Sequence, residues 1–352
     1  MKKLSYKEEK FLLKKSRKGK SKRIKKFKNS RAHINPYKNN FIPNNQNKKR
    51  EYNLYPPSDF SIKTNPKGVI SFIYEMKSLS RGKAFISEIK LNLDDIENID
   101  IGAICMTLSV IEEYSMQGIL FSGSAPNNKE CLEIFIDSGF LSHMTNIYSS
   151  KKTILESENV ILKRGRDKIN GQKSGEIIKK CMGKITGREQ HFKPIYNILG
   201  EISLNSFEHA YKKSREKHWF FSIYYDKKEN KIIFVFADNG IGIINTLNRK
   251  ISRKVIEKLQ LKDNIDILNN GFERKYGSSF DDQPNRNKGL PSIKDKQNKQ
   301  FINNLTIITN NVYINFDTDK KIILKKNYSG TLYYWELDNN CISLYNERNK
   351  AI

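Results

Sequence analysis

The chain has 352 residues, 37% of them apolar, and a formal net charge of +26. That length suits about two domains, and no apolar run approaches the ~18 residues of a membrane span. The opening MKKLSYKEEKF lacks the apolar centre of a signal peptide, so secretion is not expected. Cys105, Cys131, Cys181 and Cys341 form no CxxC pair and are too dispersed for a zinc knuckle. They read as reduced, buried thiols of a cytoplasmic protein.

The charge is concentrated at one end. Residues 1–50 hold 19 Lys and Arg against Glu8 and Glu9, a net of +17 out of the chain's +26. Residues 1–35 read as a basic arm, disordered in isolation apart from a short helix around Tyr6–Lys15. Dense positive charge with interleaved Phe11, Phe27 and Tyr37 suits non-specific contact with nucleic acid. A solvated tail and an anionic membrane surface are the competing readings. Pro36, Pro43, Pro56, Pro57 and Pro66 among many Asn mark residues 36–66 as an extended linker.

Periodicity begins beyond the linker. 69-VISFIY-74 and 85-FISEIKLNL-93 read as strands, 101-IGAICMTLSVIEEYSMQ-117 as a helix and 118-GILFSG-123 as a short strand. Asn127–Asp137 reads as a second helix ending before Gly139. Together these make a small α/β domain over 67–150. Residues 151–173 are a connector, which takes in the end of a 145–165 stretch carrying one strand. Helices are expected at Ser174–Met182 and His191–Lys213. The strands 219-WFFSIYYD-226 and 231-KIIFVFAD-238 follow, joined by 227-KKEN-230. A helix is expected at Ile251–Leu261 and a short one after residue 288, then strands at 305–310, 321–326 and 331–337. Residues 341–352 read as a tail. The second half therefore reads as a mixed sheet with helices on one face.

Four features of that half carry chemistry. 201-EISLNSFEHAY-211 puts Glu201, Asn205 and His209 four residues apart, on one face of a helix. 238-DNGIG-242 follows an apolar strand, where a carboxylate can accept from an exocyclic amine and glycines let backbone approach a flat ring. 285-NRNKGLP-291 opens a helix whose free N–H groups and dipole suit phosphate. 329-SGT-331 opens a strand. An Asn oxygen facing the phosphate turn is a suitable Mg2+ ligand, and a carboxylate one helical turn away can serve an attacking water.

In this order, the four features resemble the GHKL ATPase superfamily, which takes in gyrase B, heat-shock chaperones, histidine kinases and MutL proteins. The resemblance covers residues 174–340 and implies a two-layer α/β sandwich of the Bergerat type, within an overall α/β (α+β) chain. It implies that ATP and Mg2+ are the ligands, with Asn205 on the metal and Glu201 serving the water or acceptor hydroxyl. Asp238 would take the adenine amine. Gly240, Gly242, Lys288, Gly289 and Leu290 would shape the pocket and phosphate lid, and Thr331 matches the terminal Thr of the fold. His209 would pack on the lid or touch phosphate, and Lys212 or Lys213 would reach phosphate or simply be solvated. ExxxNSxEHAY looks most like the anti-sigma-factor serine kinases.

The chain departs from that pattern in two ways. Its second glycine box keeps only Gly289, so the lid over 268–288, with Arg274, Gly277, Ser278, Ser279 and Arg286, would close on phosphate or stay slack. No phosphoacceptor-His helix pair precedes the domain, which disfavours a two-component kinase. Residues 67–150 weakly resemble the STAS fold, with Asp100 where that family carries a phosphorylatable Ser; an unrelated α/β domain is the alternative. Three functions stay open: an Mg-dependent ATPase switch acting on an unidentified protein partner, a serine/threonine kinase, and a nucleotide-gated module that does not hydrolyse. A homodimer is compatible with each.

Overall fold

The computed structural model describes residues 50–79, 86–115, 117–140, 160–165, 171–209, 219–249, 256–257, 259–273, 276 and 289–350. The basic arm lies outside them, as do the lid residues Arg274, Gly277, Ser278, Ser279 and Arg286, and Lys212, Lys213 and Lys288. Most of the helix expected at Ile251–Leu261 also falls outside.

The N-terminal unit starts earlier than its periodicity announces. β1 (Arg50–Leu54) and β2 (Asp59–Phe60) lie inside the stretch expected to be an extended linker. Leu54 and Phe60 are buried, and that burial offsets the cost of ordering a Pro-rich segment. α1 (Pro66–Leu79) replaces the strand expected at 69–74. Its buried residues Val69, Phe72, Ile73 and Met76 repeat at helical spacing, and Pro66 stands at the first helical position, where its missing N–H costs nothing. The β-branched run pointed to a strand; the two apolar surfaces flanking this segment favour a helix. β3 (Ile86–Leu91), β4 (Asn98–Ile99), α2 (Ile101–Ser115), β5 (Leu120–Gly123) and α3 (Lys129–Asp137) follow.

β1, β3 and β5 make a parallel sheet in that order, and β2 pairs with β4. One face of the three-stranded sheet carries Leu54, Ile89, Leu91 and Phe121, all buried. The other is polar, with Lys90 on Glu51 at 2.7 Å and Ser122 donating to Glu88. α2 is buried on nearly every side, from Ile101 to Ile111 and again at Tyr114. A helix apolar all round is a helix between two layers. Its polar residues Thr107 and Ser109 satisfy their hydroxyls on the carbonyls of Ala103 and Met106.

The second layer that α2 meets is a five-stranded sheet built from the rest of the chain. Its order is β6 (Val160–Gly165), β7 (Trp219–Asp226), β8 (Lys231–Asp238), β10 (Lys320–Leu337) and β9 (Asn303–Asn315). Every pairing is antiparallel, which corrects the mixed sheet expected from sequence. Four-residue turns join β7 to β8 and β9 to β10, and connections that short allow only antiparallel pairing. Parallel pairing is confined to the N-terminal unit, so the protein as a whole is mixed α/β. The strands expected separately at 321–326 and 331–337 are one strand, β10, with register shifts around Tyr328. β6 is the edge strand of this sheet, so part of the expected connector belongs to it.

Both faces of the large sheet are covered, one by helices of the second half of the chain and the other by the N-terminal unit. Phe220, Ile233, Val235, Ala237, Ile308 and Tyr334 pack with α1 and α2 in one continuous core. Phe221, Phe234, Phe236, Ile307, Tyr333 and Trp335 face the opposite way. Over that face lie α4 (Gly171–Thr186), α5 (Lys193–His209), α6 (Ile243–Asn248), α7 (Asn264–Phe272), α8 (Gly289–Asn298) and α9 (Asn339–Lys350). α9 replaces the expected tail. Cys341 and Ile342 are buried, and Tyr345 meets the rings of Phe192 and Phe301 at 4.9 and 5.1 Å. No helix among the described residues is long and apolar enough to cross a membrane.

Candidate functional site

The site lies on the α5 side of the large sheet. α5 buries Ile195, Ile198, Leu199 and Ile202 against the core. Its flank therefore carries Glu201 and Asn205, both half-buried, towards the start of α8. Gly289, the first residue of α8, fits tightly there. A Cβ on it would stand 2.8 Å from Glu201 Oε2 and 3.2 Å from Asn205 Nδ2. Glycine lets the helix start come down onto the two side chains. His209 closes α5, and its side chain lies outside the described residues.

Asp238 ends β8 and is 3% exposed. Its Oδ1 accepts the N–H of Gly240 at 2.8 Å and of Thr331 at 3.3 Å. Thr331 is also its cross-strand partner on β10. Two motifs 93 residues apart thus meet at one carboxylate oxygen. Gly242 has φ +87°, and a Cβ there would fall 2.2 Å from Asn310 Oδ1. The backbone angle and the space both require glycine.

Three residues that sequence reasoning missed hold these parts together. Thr309 Oγ1 accepts the Ile243 N–H at 2.8 Å and lies within hydrogen-bond distance of the Gly330 carbonyl and the Thr331 hydroxyl. Asn310 donates through Nδ2 to the Ile241 carbonyl at 2.9 Å. Tyr333, buried beside Thr331, has the Asn205 side chain and the Asp238 carboxylate as polar neighbours. Burial pushes its hydroxyl pKa well up, and the Asp238 charge adds to that shift. Tyr333 is therefore the link between the two halves of the site. A signal for Thr309 and Asn310 was present: a polar pair closes the apolar run 305–310 just as Asp238 and Asn239 close 231–238.

Leu290 packs on the core, where a Cβ on Gly271 would meet it at 3.7 Å, so its role is to seat α8. Among the described residues, Asn205 Nδ2 is buried without a hydrogen-bond partner. Such an atom carries a cost of about 1–3 kcal/mol if nothing occupies the space before it. No group of three or more metal-ligating His, Cys, Asp or Glu occurs among the described residues. A surface groove of about 670 Å³ between α7 and α8, lined by Phe272, Glu273, Ser292, Lys294 and Asn298, shares no lining residue with the site.

Asp100, expected from sequence to stand where the STAS family carries a phosphorylatable Ser, is used structurally. It caps α2, accepting the Ala103 N–H at 2.8 Å, and takes the Ser61 hydroxyl at 2.6 Å. Burial raises its carboxyl pKa despite those bonds.

No protein-family model matches the chain, and no curated protein matches it.

Proposed function

We propose that the large sheet and its helices bind Mg-ATP in the manner of the GHKL superfamily, and that slow hydrolysis there works as a conformational switch. The observation that carries this is the meeting of Glu201 and Asn205 with Gly289, joined through Tyr333 to the Asp238–Thr331 contact. Four separate sequence motifs become one constellation, with a helix start at one end and a buried carboxylate at the other.

The residues fit the ligand part by part. Two main-chain N–H groups on Oδ1 fix the Asp238 carboxylate at the end of β8, where it would read an adenine amine. Gly289 brings the first turn of α8, with its free N–H groups, over the place where phosphate would lie. Asn205 would hold Mg2+, which supplies charge neutralisation between phosphates when bound. The Asn205 amide faces the helix start, with Oδ1 3.5 Å from the place of a Cβ on Gly289. Glu201, one turn earlier, is placed to orient or deprotonate a water. The same reading takes the N-terminal unit as a STAS-like docking module, with Asp100 unavailable for phosphorylation.

Incubation with γ-labelled ATP and Mg2+ tests the proposal. Release of free phosphate is the expected result. Label on a protein would make the chain a kinase, and bound, unhydrolysed ATP would make it a nucleotide-gated module. No bound nucleotide would overturn the proposal.

A further inference from the structure

On the face of the large sheet away from α5, the N-terminal unit grips the strand segment that closes the candidate site. The Lys77 ammonium, in the last turn of α1, is 9% exposed and donates to the Ser329 carbonyl at 2.9 Å. It also lies 5.0 Å above the Tyr328 ring, a distance suited to cation–π attraction. Tyr328 is buried, and its hydroxyl donates to the Asp238 carbonyl at 3.3 Å. The Ser109 hydroxyl of α2 is a second hydrogen-bond neighbour of that phenol. α1 and α2 are themselves tied, since the Tyr114 hydroxyl donates to the Met76 carbonyl at 2.5 Å.

The gripped segment has no slack. Gly330 has φ +135°, and a Cβ on it would stand 2.0 Å from the Asp238 carbonyl oxygen. The next residue, Thr331, gives its N–H to the Asp238 carboxylate. A displacement of α1 therefore moves Ser329, and through Gly330 and Thr331 it moves the groups that orient Asp238. Packed elements of this kind shift between discrete arrangements instead of deforming smoothly.

We infer that the N-terminal unit sets the nucleotide affinity of the site through Lys77 and Tyr328, which act as positioning residues for Asp238 and Thr331. This rests on the Mg-ATP reading of the site. By linkage, nucleotide binding must tighten α1 by as much as α1 tightens nucleotide binding.

The test uses the full-length chain, with calorimetric Mg-ATP titration and amide hydrogen exchange. Tyr328→Phe removes one hydroxyl and Lys77→Met removes one ammonium. Each should weaken Mg-ATP binding by roughly threefold to tenfold, the worth of one hydrogen bond, while Lys77→Arg restores a donor and most of the affinity. In the wild type, Mg-ATP should slow exchange over residues 74–79, and in Tyr328→Phe that protection should disappear. If the wild type binds Mg-ATP and both variants bind equally well, the coupling is overturned and the nucleotide reading stands. If the wild type binds none, the nucleotide reading falls and takes this inference with it. Should either variant prove too unstable to titrate, wild-type exchange alone decides: no ATP-dependent protection on α1 overturns the coupling.

Discussion

Gly289 faces Glu201 across a gap that admits a side chain only if the carboxylate moves aside: a methyl group on the glycine would stand 2.8 Å from the carboxylate oxygen. The obstacle is the far end of a flexible side chain, so Gly289→Ala should move Glu201 and leave the fold intact. Alanine is also the better helix former, by about 1 kcal/mol in a helix interior. Stability should therefore change by less than about 1 kcal/mol. Phosphate release should fall by about 10²-fold or more, as expected when a general base is displaced, and Glu201→Ala should reproduce the effect. A thermal melt and a labelled-phosphate assay on both variants are sufficient. Turnover at the wild-type rate in either would remove Glu201 from the chemistry.

Asp238 has a structural duty as well as a proposed ligand. Asp238→Ala would strand the Gly240 and Thr331 N–H groups, at about 1–3 kcal/mol, so loss of binding in that variant would be ambiguous. Asp238→Asn is the sharper change. Its oxygen can keep both N–H groups, while its NH₂ confronts the adenine amine donor to donor. ATP affinity should fall by at least tenfold in a variant that still folds, as a thermal melt would show. Calorimetry showing equal ATP affinity for wild type and Asn variant would refute the adenine assignment.

Glu336 should contribute to the acid limb of stability. It is 4% exposed and lies between Lys63 Nζ at 3.0 Å and Lys231 Nζ at 3.3 Å, with the Asn304 amide at 2.7 Å and the Tyr334 hydroxyl also on it. Burial pushes its carboxyl up, but the Tyr334 bond, Lys63 and Asn304 outweigh this and hold it below the ordinary 4.5. Its stabilisation is thus present above about pH 4.5 and is lost as pH falls through the lower folded value. Glu336→Gln should cost about 2 kcal/mol at pH 7 and flatten the stability curve below pH 4.5. Because Lys63 belongs to the N-terminal unit, the same variant should loosen that unit's hold on β10. Asp100→Asn should act with the opposite sign. Burial raises that carboxyl, so the wild type loses stability as pH rises above the ordinary Asp range, and the Asn variant escapes that loss. Denaturant titrations across pH 3–7 would check both, and parallel curves for wild type and the Gln variant would count against the Glu336 assignment.

The basic arm should bind polyanions without sequence preference. For single strands the slope of log affinity against log salt is about −0.7 per phosphate neutralised, so six contacts would give roughly −4. Removing residues 1–35 should flatten that slope and leave Mg-ATP binding intact, since the proposed pocket residues all lie at Glu201 or beyond. Anisotropy titrations at several salt concentrations measure this. Equal slopes for full-length and truncated chains would make the arm a passive tail.

By itself the sequence determined what local forces decide. The hairpin 219–226/231–238 was legible because both strands are apolar runs separated by a polar turn, and the Asp226 carboxylate and Asn230 at φ 46° complete that turn. The start of α8 and the glycine of the 238–242 loop were legible for the same reason, since a special backbone angle or a helix start needs particular residues. Tertiary structure alone decided the state of 69–74, an apolar run that serves equally as strand or helix until two surfaces claim it. It also decided that α1 and α2 cover the second face of the large sheet, that 339–350 packs as a helix, and that Thr309, Asn310 and Tyr333 tie the site together. These outcomes depend on residues far apart in the chain burying common surface and sharing hydrogen bonds, and no local periodicity encodes which distant partner a side chain will meet.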